Sequence, residues 1–214
     1  MDVRRAGDTM LLVELERVID PLVNQRAIEL GVRLGGRRLP GVRDIVPGYG
    51  SLGVHFDPLR TDLVALEQAI AEEGSAASAV DTLPAPRVHE IPVEYGGAAG
   101  PDLAEVAAFA GCTVDEAIAR HAAVTYRVYM LGFVPGFAYL GRVDRTIAVP
   151  RHRVPRERVP AGSVGIAGEQ TGVYPLPSPG GWQIIGRTSV VMFDAARTPA
   201  TLLAPGDAVR FVPR

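Results

Sequence analysis

Residues 124–141, VTYRVYMLGFVPGFAYLG, set a short apolar run against a loop punctuated by glycine and proline, followed by a second short run. The same rhythm returns in SVVMFD (189–194) and DAVRFVP (207–213). Short strand-like runs separated by turn residues predict a compact β-rich domain, a barrel or a sandwich, and argue against alternating parallel βα units. Phe133, Phe137 and Tyr139 sit among the turn-fixing residues of the quoted stretch, so their rings can be carried by a loop at a sheet edge. Core packing is the competing reading, since phenylalanine is among the residue types most often buried.

Downstream, GEQTGVYPLPSPGGWQIIGRT (168–188) concentrates five glycines and three prolines among apolar residues. Glycine lets a backbone bend through positive φ or approach another group closely, and proline reduces the entropy lost when a loop is fixed. The expectation is a stiff rim on which Tyr174 and Trp182 offer large contact area with one polar handle each. Gln170, Thr171, Arg187 and Thr188 are candidate ligand-binding residues of the same stretch, with the Arg187 guanidinium and the Thr188 hydroxyl converging on one anionic or carbonyl group. Barrel-corner turns around one core tryptophan would give a similar composition. Between the two stretches, Arg151, Arg153, Arg156 and Arg158 lie in a proline-stiffened loop that either presents guanidinium groups to an anion or is a solvated surface.

Upstream, HEIPVEY (89–95) reads as a strand, followed by two short helices, one opened by Gly100 and Pro101, the other by Thr113 with Glu116 at capping-box spacing. Further back, Thr9–Glu16 reads as a strand. Asp20 and Pro21 cap a helix that stops at Gly35 and Gly36, and VRDIVPG and SLGVHFD form a hairpin about Gly48–Gly50. Leu63, Leu66, Ile70 and Ala71 then give a second helix its buried face. That order, βαββα, predicts a ferredoxin-like α+β domain over residues 1–85, with the β-rich domain over 86–214. The small, proline-bearing run 74–87 is the connection. Charge supports the division weakly: residues 1–85 carry 9 Arg against 13 acidic side chains, the remainder 13 against 11.

Composition narrows the chemistry. Apolar residues make up 47% of the chain and charged residues 21%, enough for a core with a soluble surface. A net charge of −2 argues against a nucleic-acid binder, and no apolar run reaches the length of a membrane span, so a cytoplasmic location is expected. There is no lysine, which excludes Schiff-base chemistry and a Walker-type phosphate lysine, and the single cysteine, Cys112, excludes an intrachain disulfide. Neither a phosphate-binding glycine loop nor a metal-spaced histidine motif is present. His121, near the end of the second short helix, reads as a structural histidine whose charged form the helix dipole favours, with general acid or base work as the alternative.

TYRVYMLGFVPGFAYLG, VPAGSVGIAGEQTGVYP and SPGGWQIIGRT, in this order, resemble the family of 5-oxoprolinase B subunits, also known as KipI-like or as allophanate hydrolase subunit 1. The resemblance implies a small α/β domain followed by a cyclophilin-like barrel, and function on such a barrel belongs to placed residues rather than to the architecture. It also implies two partners, the 5-oxoprolinase C subunit (KipA-like) and its A subunit. Together they use ATP to open 5-oxo-L-proline to L-glutamate, with no cofactor or metal held by this chain itself. His121 and Arg187 are then the candidates for catalytic work, and Phe133, Phe137 and Tyr139 shape a pocket or dock the partner. The KipI-like branch implies instead an inhibitor of a sensor histidine kinase, and the third family name a component of allophanate hydrolysis.

Overall fold

In a computed structural model the described residues are 1–76 and 85–214, so residues 77–84 of the connection lie outside them. The chain divides into two compact units, Met1–Ala85 and Pro86–Arg214.

In the first unit, strands β1 (Asp2–Arg5), β2 (Met10–Glu14), β3 (Val42–Pro47) and β4 (Ser51–Phe56) form one antiparallel sheet in the order β1-β2-β4-β3. Helices α1 (Pro21–Gly36) and α2 (Leu63–Ser75) supply the rest of its core, in which Leu11, Val13, Leu52 and Val54 meet Leu30, Leu34, Leu66 and Ile70. Asp20 caps α1 as expected, its carboxylate accepting from the backbone N–H groups of Leu22 at 2.8 Å and Val23 at 3.2 Å. Two details differ from the sequence reading. β1 adds an edge strand to the expected βαββα order. In α2 it is Ala69, not Ala71, that is buried beside Leu66 and Ile70.

In the second unit, seven strands close into a barrel in the order β10-β7-β6-β13-β5-β12-β9, with β9 pairing back to β10. They are β5 (Val88–Tyr95), β6 (Thr125–Leu131), β7 (Ala138–Gly141), β9 (Ser163–Ala167), β10 (Gln170–Val173), β12 (Gln183–Arg187) and β13 (Ala208–Pro213). Only the β5–β13 pair is parallel. β8 (Arg156–Val159) and β11 (Ser178–Gly180) form a separate two-stranded ribbon. Two short helices precede the barrel's second strand, α3 (Leu103–Phe109) and α4 (Val114–Ala122), and the capping box of Thr113 and Glu116 is formed at the start of α4. SVVMFD does not become a strand. Its only ladder contact is a single bridge between Phe193 and Thr201, because the segment turns back on itself through bonds from Leu202 N–H to Met192 O and from Asp194 N–H to Ala200 O. Among the described residues, no helix is long and apolar enough to cross a membrane.

Candidate functional site

Side chains on a strand alternate between its two faces, and along β10 this separates two clusters of rings. Thr171 points into the barrel. Its hydroxyl donates to Gly165 O at 2.9 Å and faces His121 Nε2 at 2.9 Å, while the other ring nitrogen, Nδ1, meets the Tyr95 hydroxyl at 2.7 Å. Since the Thr171 proton is committed to Gly165, the network assigns the His121 proton to Nε2 and leaves Nδ1 to accept from Tyr95. His121 also stacks on Phe211 at 4.7 Å and lies 5.3 Å from Tyr126. Its partners come from β5, β6, β10 and β13, strands spread around the barrel, so the imidazole occupies the barrel interior.

His121 is fully buried, and burial pushes its pKa down to about 3. The helix dipole expected to favour the charged form is overwhelmed by desolvation, and the ring stays neutral. With both ring nitrogens bonded inside the barrel, His121 cannot reach a ligand in either groove described below. Thr171, equally buried, is a scaffold residue for the same reason.

One residue further along β10, Gly172 faces outward. A Cβ there would come within 2.8 Å of Ala138 O and 3.1 Å of Phe137 Cζ, so this close packing requires glycine. Phe137, Tyr174, Trp182, Ile184, Val159 and Ala167 make a second apolar cluster on this outer face, with Tyr139 and Val134 packed against it. Its rings meet edge to face. Phe137 lies 5.3 Å from Trp182, 5.3 Å from Tyr174 and 5.0 Å from Tyr139. Gly180 is the second necessary glycine, because a Cβ at that position would run into the Tyr174 hydroxyl. Burial raises the Tyr174 pKa, so the phenol stays protonated.

This cluster opens to solvent. Trp182 is 4% exposed yet forms one wall of a groove of about 260 Å³, with Phe133, Phe137, Tyr139 and Tyr174 on the others. Phe133 is 59% exposed and holds φ at +70°, a left-handed conformation that costs a bulky residue roughly 1–3 kcal/mol. Arg151 lies over the Trp182 ring, 5.8 Å from its centroid, within cation–π range.

The loop that carries Arg151 is anchored by Asp102. This carboxylate, almost wholly buried, accepts from Arg156 Nη2 at 2.6 Å, from His152 Nε2 at 3.2 Å and from the Ile184 backbone N–H at 2.6 Å. Burial pushes its pKa up, but the bonds from Arg156, Ile184 and His152 outweigh burial and hold the carboxyl below the ordinary range. Sequence reasoning missed Asp102. Its place just before a short helix is that of an N-cap, but its side chain makes no capping bond and turns instead to partners about 50 or more residues away.

The remaining predicted site residues lie elsewhere. Arg187 is exposed and, with Thr188, Ser189, Glu94, Pro92 and Arg214, lines a second groove of about 570 Å³. Arg187 Nε donates to Ala161 O at 3.2 Å, and the buried Thr188 hydroxyl accepts from Val190 N–H at 3.2 Å. Trp182 and Arg187 are therefore not parts of one pocket: five residues of extended chain separate their backbones by about 16 Å. Gln170 lies on β10, two residues before Gly172, and borders neither groove. Among the described residues no three of His, Cys, Asp and Glu converge as a metal ligand set.

The carboxyltransferase domain, subdomain C and D, matches residues 1–203. The chain is 45% identical to the 5-oxoprolinase B subunit of Escherichia coli O157:H7, covering 97% of this chain and 94% of the relative. It is 40% identical to the protein of the same name from Bacillus subtilis, covering 98% and 91%. The chain belongs to the family of 5-oxoprolinase B subunits. Among solved structures, that of TTHA0988 superposes with a TM-score of 0.84 at 39% identity, and this chain, fully covered, spans 40% of that longer one. The urea carboxylase of Kluyveromyces lactis superposes with a TM-score of 0.78 over 99% of this chain and 21% of that one; at 20% identity it shares the fold.

Proposed function

We propose that this chain is a non-autonomous component of a cytoplasmic 5-oxoprolinase complex that, with the A and C subunits, opens 5-oxo-L-proline to L-glutamate at the expense of ATP. Near-full-length likeness to two proteins named as the B subunit of 5-oxoprolinase carries this reading. The chemistry needs more than one chain. An unstrained lactam amide resists water, and phosphoryl transfer to its oxygen makes the carbon susceptible to attack. His121 is sealed in the barrel, and the ring-walled groove offers one guanidinium and no carboxylate among the described residues, which supports a binding part for this chain. Its part is to hold and present, with the outer aromatic groove as its working face.

Release of phosphate from ATP, dependent on 5-oxo-L-proline, is the test. The account expects turnover only when all three purified proteins are present, and undiminished turnover without this chain would end it. Inhibition of sensor histidine kinase autophosphorylation by this chain, with no contribution to lactam opening, would move the assignment to the KipI-like branch.

A further inference from the structure

The outer groove is small, ring-walled and singly charged. At about 260 Å³ it lies below the span of roughly 300–1,000 Å³ typical of drug-sized ligands, a volume suited to a small metabolite. Phe133, Tyr139 and Trp182 offer ring faces and edges, surfaces that pack well against another small ring. Among the described residues Arg151 is the only formally charged one lining it, and none of them brings a carboxylate to the groove to oppose an anion.

The division of labour within one loop is informative. Arg156 is committed to the buried Asp102 and His152 is bonded to the same carboxylate, so these two side chains anchor the loop. Arg151 has no ion pair among the described residues, and its guanidinium lies over Trp182. A guanidinium held at the lip of a ring-walled groove has planar donors ready for a carboxylate.

We propose that this groove is a binding site for a small ring-bearing carboxylate, its ring between Trp182, Tyr139 and Phe133 and its carboxylate on Arg151. The lactam acid of the reaction proposed above is one member of that class; its inclusion rests on that reading, whereas the class rests on the groove.

The chain has one tryptophan, Trp182, so selective excitation of the intact protein reports on this groove directly. The probes are 5-oxo-L-proline, cyclopentanecarboxylate and the uncharged cyclopentanecarboxamide. Both acids are expected to change Trp182 emission saturably, and the amide to bind at least about tenfold more weakly, the scale of a charge-assisted hydrogen bond. Arg151→Gln, a change at an exposed side chain, is expected to weaken both acids by about tenfold while leaving the amide unaltered. Phe133→Ala is expected to weaken all three. Equal binding of acid and amide, acid binding indifferent to Arg151→Gln, or no saturable change with any probe would each overturn the proposal. So would a proline-bearing peptide that alters the emission where the acids do not, since that marks a protein-docking groove. If cyclopentanecarboxylate binds and the three-protein complex does not open the lactam, the site stands and the enzyme reading falls. If the complex turns over and no acid binds, the reverse holds.

Discussion

The barrel unit carries two clusters of aromatic rings, one inside the barrel and one on its outer face. In the interior cluster, Tyr95, His121, Tyr126 and Phe211 are packed together, and the polar atoms answer one another: Tyr95 to His121, His121 to Thr171, Thr171 to Gly165, and the Tyr126 hydroxyl to the His121 carbonyl at 2.8 Å. In the outer cluster, Phe133 stands in solvent and Arg151 covers Trp182 without an ion pair among the described residues. Ring content therefore does not mark a site. What marks it is whether the polar and apolar groups are already satisfied within the fold; the sealed cluster has no capacity left for a ligand and the open one does.

The contrast predicts opposite effects of mutation. The largest effect on stability belongs to the sealed cluster. His121→Leu leaves the Thr171 and Tyr95 hydroxyls short of a partner in a dry interior, and should cost roughly 3–5 kcal/mol in urea unfolding. A loss under about 1 kcal/mol would mean that the interior network is not the structural element described. Asp102→Asn comes next. It leaves the half-buried Arg156 without its counter-charge and should cost roughly 2–4 kcal/mol, with a change in Trp182 emission as the loop bearing Arg151 loosens. An unaltered emission spectrum would separate Asp102 from the groove.

Acid sensitivity follows from the same cluster. His121 titrates at about 3 when folded and near 6.5 when unfolded, so the unfolded chain binds the extra proton between these values. Its contribution to stability is fully present above about pH 6.5 and declines as the pH falls toward 3, by up to about 1.4 kcal/mol per unit. His121→Gln should flatten that slope, measured as the urea midpoint against pH; an unchanged slope would show that His121 is not its source. The smallest effect on stability belongs to the open cluster. Phe133→Gly removes an exposed ring and relieves a left-handed backbone, so the thermal midpoint should stay within a few degrees of the parent.

Much of the fold is legible in the sequence because local chemistry and tertiary structure agree. Asp20 caps its helix, Thr113 and Glu116 form their box, and the hairpin about Gly48–Gly50 closes where turn chemistry places it. β1 is not legible, because it is an edge strand with little burial on either face and no apolar alternation marks it. The ring residues of the groove are legible as a group. Their separation from Arg187 and Thr188 is not, because a strand carries neighbours in sequence some 16 Å apart. Thr171 differs from the outer face by one step of alternation, which turns it inward beside His121 while Gly172 packs against Phe137 and Trp182. Asp102 is invisible in the sequence because its meaning lies in Arg156, His152 and Ile184, each about 50 or more residues away.

The most direct test of the open groove as working face is the lactam-dependent phosphate release of the three-protein complex carrying Phe133→Ala, set beside the thermal midpoint of the same variant. The account predicts a fall in turnover of at least about tenfold with the midpoint essentially unmoved. Full turnover with that ring removed would contradict it.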